Sequence, residues 1–313
     1  MEMKKYTFSI IIPHKNIPKL LQRCLESIPI RDDVEVIIVD DNSDPEIVDF
    51  DQFPGKDRPN TTVIFDKSGK GAGRVRNVGL VHATGKWLIF ADADDFFVEK
   101  VGEILDRYCT EKADVLYFKH KNVLSNNLKK ESDRCYIFNK MISDNSIPIG
   151  ERETFIRCRH NVPWAKIIKR DFVIKHSLYY EEVKYSNDVV FNISLGCKAK
   201  EIKLIDEVLY VLTNREGSLT SNNCADIEEL FIRTLAHIQH QAIIEKHGYV
   251  GLFTPALWFL PRLYTNDSKL FIKALKFSRK QGLSMSVLYK GMIQGRGLKS
   301  RIKLTCIYIQ SYF

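Results

Sequence analysis

Three carboxylates close the apolar run Trp87-Leu88-Ile89-Phe90-Ala91-Asp92-Ala93-Asp94-Asp95. The run is typical of a strand that is buried on both faces of a parallel sheet in an α/β protein. Ligands of such sheets bind beyond the carboxyl ends of the strands. Neighbouring carboxylates repel one another at neutral pH, and a hard divalent cation such as Mg²⁺ or Mn²⁺ removes that cost while it bridges to phosphate oxygens. The sequence therefore predicts a site for a metal ion and a nucleotide at Asp92, Asp94 and Asp95.

Strands and helices alternate over the first hundred residues. Apolar, β-branched runs at 8–12, 34–39, 63–65 and 87–90 predict strands, and apolar residues at helical spacing lie between several of them. This order predicts an α/β fold with a mostly parallel sheet and right-handed crossovers. The second run ends in Asp40-Asp41, so two acidic strand ends should open on the same edge of the sheet. A nucleotide could lie across both.

The pattern changes after about residue 113. Residues 115–118 are apolar and predict a further strand, whereas residues 122–134 are polar and predict a loop. After Asp226 the apolar residues recur at helical spacing. A helical region should therefore follow the sheet.

The net charge of +8 is concentrated at the end of the chain. Residues 262–313 hold eleven lysines and arginines against one acid, and the rest of the chain is close to neutral. Lysines at 269, 273, 276 and 280 recur at helical spacing with apolar residues between them, which predicts a basic amphipathic helix. Residues 262–313 could attach to an anionic membrane surface; the alternative is a solvated helix that packs on the rest of the protein. No nucleic-acid-reading module accompanies the charge, so no nucleic acid is expected as a partner.

Several ordered motifs resemble those of the family 2 glycosyltransferases of the GT-A fold, over roughly residues 6–220. The matching segments are Ser9-Ile10-Ile11-Ile12-Pro13 with Asn16, Val36-Ile37-Ile38-Val39-Asp40-Asp41-Asn42-Ser43, Gly71 to Gly79, Ala83 to Asp95, Tyr180 to Phe191, and Arg215-Glu216-Gly217-Ser218.

The resemblance implies a role for each segment. Asp41 should contact the nucleobase, most often uracil, and Asp94 is the first candidate for metal ligand, with Asp92 on the metal or the ribose. Asp188 takes the role of catalytic base, although Asn187 stands where the family often has the Glu of a Glu-Asp pair. The remaining residues expected to bind the nucleotide-sugar are Pro13, Asn16, Lys70, Arg74, Arg76, Asn77, Ala93, Arg215 and Ser218.

The resemblance also implies an activity: a glycosyltransferase that takes a hexosyl or N-acetylhexosaminyl group from a nucleotide-diphosphate sugar with Mn²⁺ or Mg²⁺. One base and no protein nucleophile implies a single displacement with inversion. The expected acceptor is a saccharide or lipid-linked saccharide in surface polysaccharide or lipopolysaccharide synthesis. The start of the chain shows no cleavable signal, and no apolar run approaches the roughly 20 residues that span a bilayer. We therefore expect a cytoplasmic protein, peripheral at the inner face of the cell membrane.

The expected division has two parts. Residues 1–222 form the GT-A domain, with a nucleotide-sugar half at 1–112 and an acceptor and catalytic half at 113–222. Residues 223–313 form the helical basic region.

Each candidate residue also has a purely structural alternative. The acids at 92, 94 and 95 could cap a following helix, and Asp40 and Asp41 could form an Asx turn. The cations at 70, 74 and 76 could be a solvated helix face. Asp188 could be a surface acid, and Arg215 with Ser218 an ordinary turn.

Two other functions remain as alternatives. A transferase that has lost activity would bind the nucleotide-sugar or serve as a scaffold without turnover. A phosphatase with a DxD motif is the second, but such enzymes want Thr or Val where Asp95 stands.

Overall fold

A single sheet joins nine strands within the part of the chain that the structure describes. The computed structural model describes residues 6–132, 136–214, 226–252, 254 and 259–293. In chain order the strands are β1 (Phe8–His14), β2 (Val34–Asp41), β3 (Thr61–Asp66), β4 (Trp87–Phe90), β5 (Phe96–Phe97), β6 (Val115–Leu124), β7 (Asn127–Glu131), β8 (Lys166–Lys169) and β9 (Ile202–Asn214).

The predicted parallel part of the sheet is confirmed. Strand β1 lies between β2 and β4 and runs parallel to both, with Ile10 opposite Val36 on one side and Ile89 on the other. Strand β3 continues the parallel order outside β2. Because these strands point the same way, their carboxyl ends form one edge of the sheet. Both acidic strand ends lie there.

Beyond β4 the sheet is mixed, in the order β3-β2-β1-β4-β8-β6-β9-β5. Strand β8 runs antiparallel between β4 and β6, and β9 runs parallel to β6. The short β5 pairs with the far end of β9, at Val211 and Tyr210. This pairing brings the end of β9 next to the acidic residues that precede β5.

Helices pack against the sheet, and further helices follow it along the chain. In the described residues they are α1 (Pro18–Glu26), α2 (Ala72–His82), α3 (Val101–Tyr108), α4 (Tyr136–Ser143), α5 (Ile149–Arg159), α6 (Arg170–Lys175), α7 (Val189–Lys198), α8 (Ile227–Lys246), α9 (Phe259–Asn266), α10 (Ser268–Lys280) and α11 (Met285–Ile293).

Helix α2 packs unusually close to β1 because of a glycine. A Cβ at Gly79 would lie 2.5 Å from Cγ2 of Ile11, so a larger residue would force the helix away from the strand. The buried face of α2 also carries Val75, which lies in the main core. The close packing fixes where the first turns of α2 meet the carboxyl edge of the sheet.

The loop predicted at 122–134 is wrong in part. Strand β6 continues to Leu124, and β7 at Asn127–Glu131 pairs with it as a hairpin. All five side chains of β7 are exposed. A strand that buries neither face has no alternation of apolar and polar residues, so the sequence carries no periodic signal for it.

The C-terminal helices have a separate apolar cluster, which includes Leu230, Ile238, Leu263, Phe271 and Leu288. Helix α8 starts as predicted, because the side chain of Asp226 accepts the backbone N–H of Glu228. The predicted basic helix is α10. Its exposed face carries Lys269, Ile272, Lys273, Lys276, Arg279 and Lys280.

Among the helices that the structure describes, none combines the length and the apolar character that crossing a membrane would require. The division at residue 222 stays a prediction.

Candidate donor and catalytic site

Asp40 has a structural role at the end of β2. Its Oδ2 lies 2.7 Å from Nδ1 of His14, and its Oδ1 accepts the backbone N–H of Ser43 at 2.9 Å. Burial raises the pKa of Asp40, but the hydrogen bonds from His14 and Ser43 outweigh burial and hold the pKa below its ordinary value. Asp40 thus holds the turn after β2, the structural role that the Asx-turn alternative gave it, although its bond reaches three residues on and not two.

Asp41 points the other way, toward the loop that enters α2. Its Oδ1 accepts the backbone N–H of Gly71 at 3.0 Å, and its Oδ2 accepts Nζ of Lys15 at 3.1 Å. The carboxylate is buried, whereas the Lys15 side chain is 51% exposed. Asp41 thus lies between the end of β2 and the start of α2, where the nucleobase contact was expected.

Two other residues predicted at this edge belong to the backbone framework. The Asn16 side-chain oxygen accepts the N–H of Asp44 at 2.8 Å, and the Asn16 N–H donates to Oγ of Ser43. Asn16 has a φ of 57°, a left-handed conformation that asparagine tolerates. Pro13 is a half-buried residue of β1, opposite Val39. Both residues shape the turn between the strand ends.

The acids that follow β4 separate into different environments. Asp95 is buried and accepts the N–H of Thr213 at 2.7 Å, and burial, followed by the charges of Asp94 and Asp92, raises the pKa of Asp95 well above its ordinary value. Ala93 is buried between the acids. The segment leads into β5 and not into a helix, so the helix-capping alternative for these acids is wrong.

Asp92 and Asp94 remain on the open side of the strand end. The Asp92 carboxylate accepts a hydrogen bond from Arg76 at 2.6 Å, and its side chain is 30% exposed. The backbone carbonyl of Asp94 accepts the hydroxyl of Thr213 at 2.6 Å and a guanidinium N–H of Arg23, which fix the turn and leave the Asp94 side chain half-exposed.

The two carboxylates fit a metal ion that the substrate helps to bind. Across the described residues, no group of three or more His, Cys, Asp or Glu side chains is arranged to hold a metal ion. A closed protein site is therefore not formed. Mg²⁺ is commonly bound by one or two carboxylates together with substrate phosphates, and Asp92 with Asp94 supplies that number.

The cations of the loop before α2 and of its first turn contact carboxylates. Nζ of Lys70 lies 3.7 Å from Glu182, and the Arg74 guanidinium lies 3.0 Å from Asp66 and 3.5 Å from Glu182. The Lys70 side chain is 60% exposed, which agrees with the alternative that this lysine is a solvated surface residue. The sequence offered no signal for Glu182, because it lies more than a hundred residues away along the chain.

Arg76 is different, because only 6% of it is exposed. One N–H donates to Asp92 at 2.6 Å, another donates to Oδ1 of Asn187 at 3.0 Å, and the guanidinium lies 5.3 Å from the Tyr180 ring centroid. The solvated-face alternative is therefore wrong for Arg76. Its contacts join the acidic strand end to the segment that carries Asp188.

The segment 180–188 lies directly on α2. Asn77 donates to the Tyr180 carbonyl at 2.9 Å and accepts the Tyr180 N–H at 2.8 Å. A Cβ at Gly73 would lie 2.0 Å from the carbonyl oxygen of Glu181, so only glycine allows this approach. Both ends of the Asn77 amide bind the protein backbone, and its predicted contact with the nucleotide-sugar stays a prediction.

Asp188 is half-buried at the N-terminus of α7. Burial raises its pKa above the ordinary value of 3.8; the charges of Arg76 and Lys166 lower the pKa, and the charge of Asp92 raises it. A carboxylate whose pKa is moved toward neutral pH suits a general base. Arg215 and Ser218, expected to cover the donor, lie outside the described residues.

The sheet with its flanking helices has the GT-A fold. Residues 9–176, more than half of the chain, match the family described as glycosyl transferase family 2, and the chain belongs to that family.

Curated relatives are bacterial glycosyltransferases. The chain is 24% identical over 254 residues to the uncharacterized glycosyltransferase EpsJ of Bacillus subtilis, an alignment that covers 78% of this chain and 70% of EpsJ. It is 25% identical over 237 residues to the poly(ribitol-phosphate) beta-N-acetylglucosaminyltransferase TarS of Staphylococcus aureus, covering 72% of this chain and 38% of TarS. The chain thus spans well under half the length of TarS.

Solved structures share the fold. Residues 1–349 of Staphylococcus aureus TarS, in complex with UDP-GlcNAc, match with a TM-score of 0.67 and 20% identity, over 98% of this chain and 91% of that fragment. The mannosyltransferase PcManGT of Pyrobaculum calidifontis, in complex with GDP-Man and Mn²⁺, matches with a TM-score of 0.52 and 13% identity, over 99% of this chain and 82% of that one.

Proposed function

We propose that the protein is a metal-dependent, inverting glycosyltransferase that moves a sugar from a UDP-sugar to a saccharide or lipid-linked saccharide acceptor. The observation that carries the proposal is that Asp41 ends β2 while Asp92 and Asp94 follow β4 at the same edge of the sheet, with Asp188 at the start of α7. Arg76 connects the acidic strand end to the segment before Asp188. On this basis we place the nucleobase, phosphate and acceptor sites next to one another.

The donor would lie across the ends of β2 and β4. Asp41 supplies a buried carboxylate for the N–H groups of a nucleobase, and Asp94, with Asp92, would hold Mn²⁺ or Mg²⁺. When bound, the ion neutralises charge that develops on the diphosphate as the glycosidic bond breaks. Lys70 and Arg74 lie at the open side of the same edge and could contact the phosphates.

Asp188 would accept the proton of the acceptor hydroxyl. Positioned general-base catalysis contributes about 10²- to 10⁴-fold to a rate. Retention by double displacement would need a protein nucleophile, and the family motifs assign one base, Asp188, and no nucleophile. A single displacement follows, so an α-linked donor should give a β-linked product.

The relatives support the choice of donor and acceptor class. TarS carries the name of a beta-N-acetylglucosaminyltransferase that acts on poly(ribitol-phosphate), and its fragment was solved with UDP-GlcNAc. An N-acetylhexosaminyl or hexosyl group on UDP is therefore the proposed donor. The proposed process is synthesis of a bacterial surface polymer, such as polysaccharide or lipopolysaccharide.

The basic face of α10 supports attachment to the inner face of the cell membrane. Its lysines lie on the exposed side of the helix, and no acid occurs within α10. Each cation near an anionic lipid surface contributes roughly 1 kcal/mol, so four give reversible binding. Replacement of Lys269, Lys273, Lys276 and Lys280 by glutamine should abolish co-sedimentation with anionic vesicles at low salt. Unchanged co-sedimentation would contradict the attachment, and neutral vesicles are the control.

A turnover assay with matched variants tests the enzymatic proposal. UDP release from a panel of UDP-sugars with Mn²⁺ and a saccharide acceptor should be lost in Asp94→Ala and Asp188→Asn. Asp188→Asn should still bind UDP in calorimetry, because in this proposal Asp188 takes the acceptor proton and holds neither the nucleobase nor the metal ion. UDP binding without turnover in the wild-type chain would favour the inactive binding protein, and release of inorganic phosphate would favour the phosphatase.

A further inference from the structure

A lysine is fully buried beneath the candidate base. Lys166, in β8, has no exposed surface, and its Nζ lies 2.5 Å from Oδ1 of Asn192, 2.6 Å from the carbonyl of Val162 and 3.4 Å from the carbonyl of His160. The Tyr117 ring centroid is 5.5 Å from the same nitrogen. All three hydrogen-bond partners are oxygen acceptors. Three oxygen acceptors match the three N–H donors of an ammonium group.

Asn192 connects this ammonium to the start of α7. Its Nδ2 donates to the backbone carbonyl of Asp188 at 2.8 Å, and its own N–H reaches the same carbonyl at 3.1 Å. Asn192 is fully buried and lies one turn after Asp188. Its side chain therefore has one fixed orientation, with the oxygen on Lys166 and the nitrogen on Asp188.

We propose that Lys166 is a positioning residue for the transfer reaction: it orients Asn192, and Asn192 fixes the backbone from which the Asp188 side chain extends. The inference rests on the proposed function, because it assigns Asp188 the role of base. Lys166 itself touches neither donor nor acceptor in this arrangement.

The charges support the connection. Burial lowers the pKa of Lys166 well below its ordinary value, and the charge of Asp188 raises it. In return Lys166 lowers the pKa of Asp188, as does Arg76, whereas Asp92 raises it. The buried Tyr180 hydroxyl also faces this group. Loss of the ammonium leaves Arg76 as the remaining cation among these neighbours, so Asp188 should be harder to ionise.

A purely structural role for Lys166 is the competing explanation. The ammonium also joins the carbonyls of the 160–162 turn, which precedes Ala165 with its φ of 55°. Such a role would affect folding and leave the titration of the transfer reaction unchanged. The pH dependence of kcat therefore separates the two explanations.

The test compares Lys166→Met with wild type in the full chain. We expect kcat for the preferred UDP-sugar to fall about tenfold, a part of the contribution that a positioned base makes. The donor KM should stay within about twofold, since binding is untouched. The acid limb of the kcat profile should move to higher pH. Lys203→Met, which removes a half-exposed lysine paired with Glu111, is the control and should change none of these.

A second variant and a second measurement keep the test decisive. Asn192→Leu removes the oxygen on Lys166 and the N–H donor to Asp188 without adding a charge, so it should lower kcat with the donor KM unchanged even if Lys166→Met fails to fold. Hydrogen exchange at the first turn of α7 should be faster in both variants, whatever the activity. A folded variant with unchanged exchange and an unchanged acid limb would overturn the inference; absence of turnover in wild type would count only against the proposed function.

Discussion

Replacement of Arg76 by leucine should destabilise the protein by about 2–3 kcal/mol. The guanidinium is nearly fully buried and donates to Asp92 at 2.6 Å and Asn187 at 3.0 Å. Removal of one partner from a buried ion pair costs about 3–5 kcal/mol, because the other charge is left uncompensated. The Asp92 side chain is 30% exposed, so water can hydrate it in the variant, and we place the loss below that range.

Urea unfolding of wild type and variant measures this loss as a shift of the midpoint at constant slope. Arg107→Leu is a matched control, because Arg107 contacts Glu207 with its side chain 53% exposed. Exposed ion pairs contribute at most about 1 kcal/mol, so the control should lose much less stability. Arg76→Lys, which keeps the charge but not the two-pronged geometry, should fall between wild type and leucine.

The same variant decides between two roles for Arg76. If the role of Arg76 is to hold Asp92 and Asn187 together, the stability of Arg76→Leu falls and its affinity for UDP changes little. If Arg76 contacts the diphosphate, as the sequence predicted, UDP affinity falls by an order of magnitude or more and the urea midpoint is unchanged. The second outcome would refute the reasoning from the structure.

Two further predictions concern the framework of the site. Gly73→Ala places a Cβ 2.0 Å from the Glu181 carbonyl, so it should lower the free energy of unfolding by about 1–3 kcal/mol in thermal unfolding and also lower the transfer rate. The control is Gly150→Ala, whose Cβ meets nothing within 4 Å; its stability in the same assay should be unchanged or higher. The pKa of Asp40 lies below 3.8 in the folded protein, so its contribution to stability is present above that value and is lost as pH falls through the folded pKa. Asp40→Asn should therefore flatten the acid limb of stability in urea midpoints measured between about pH 2 and pH 5; a limb as steep as that of wild type would contradict this assignment.

The parallel half of the sheet was predictable because its strands are short apolar runs, a pattern typical of strands that are buried on both faces. The acids at 40–41 and 92–95 stand directly after two such runs, so their common edge follows from strand direction alone. Prediction of Asp188 needed the family resemblance, because a single acid before a helix is an ordinary sequence feature.

The partners of those residues were not predictable from the sequence. Arg76 and Asn187 are more than a hundred residues apart, and their contact depends on how the segment 180–188 folds back over α2. The same holds for Lys166, whose position in a short strand gives no sign that its amine is fully enclosed. The local sequence pattern predicts helices and strands. Which charged side chains contact each other between helices and strands depends on the tertiary packing.

The three cations predicted for the diphosphate differ in how firmly carboxylates hold them. Lys70 and Arg74 share Glu182 at 3.5 Å or more and lie on the surface, so a phosphate can replace that carboxylate at little cost. Arg76 is enclosed, and separating it from Asp92 would leave a buried charge without a partner. Phosphate charge should therefore be met by Lys70, Arg74 and a divalent ion, whereas Arg76 keeps its protein contacts. If the donor binds as we propose, its phosphates would replace Glu182 at Lys70 and Arg74, while the contacts of Asn77 and Arg76 keep the segment 180–188 on α2.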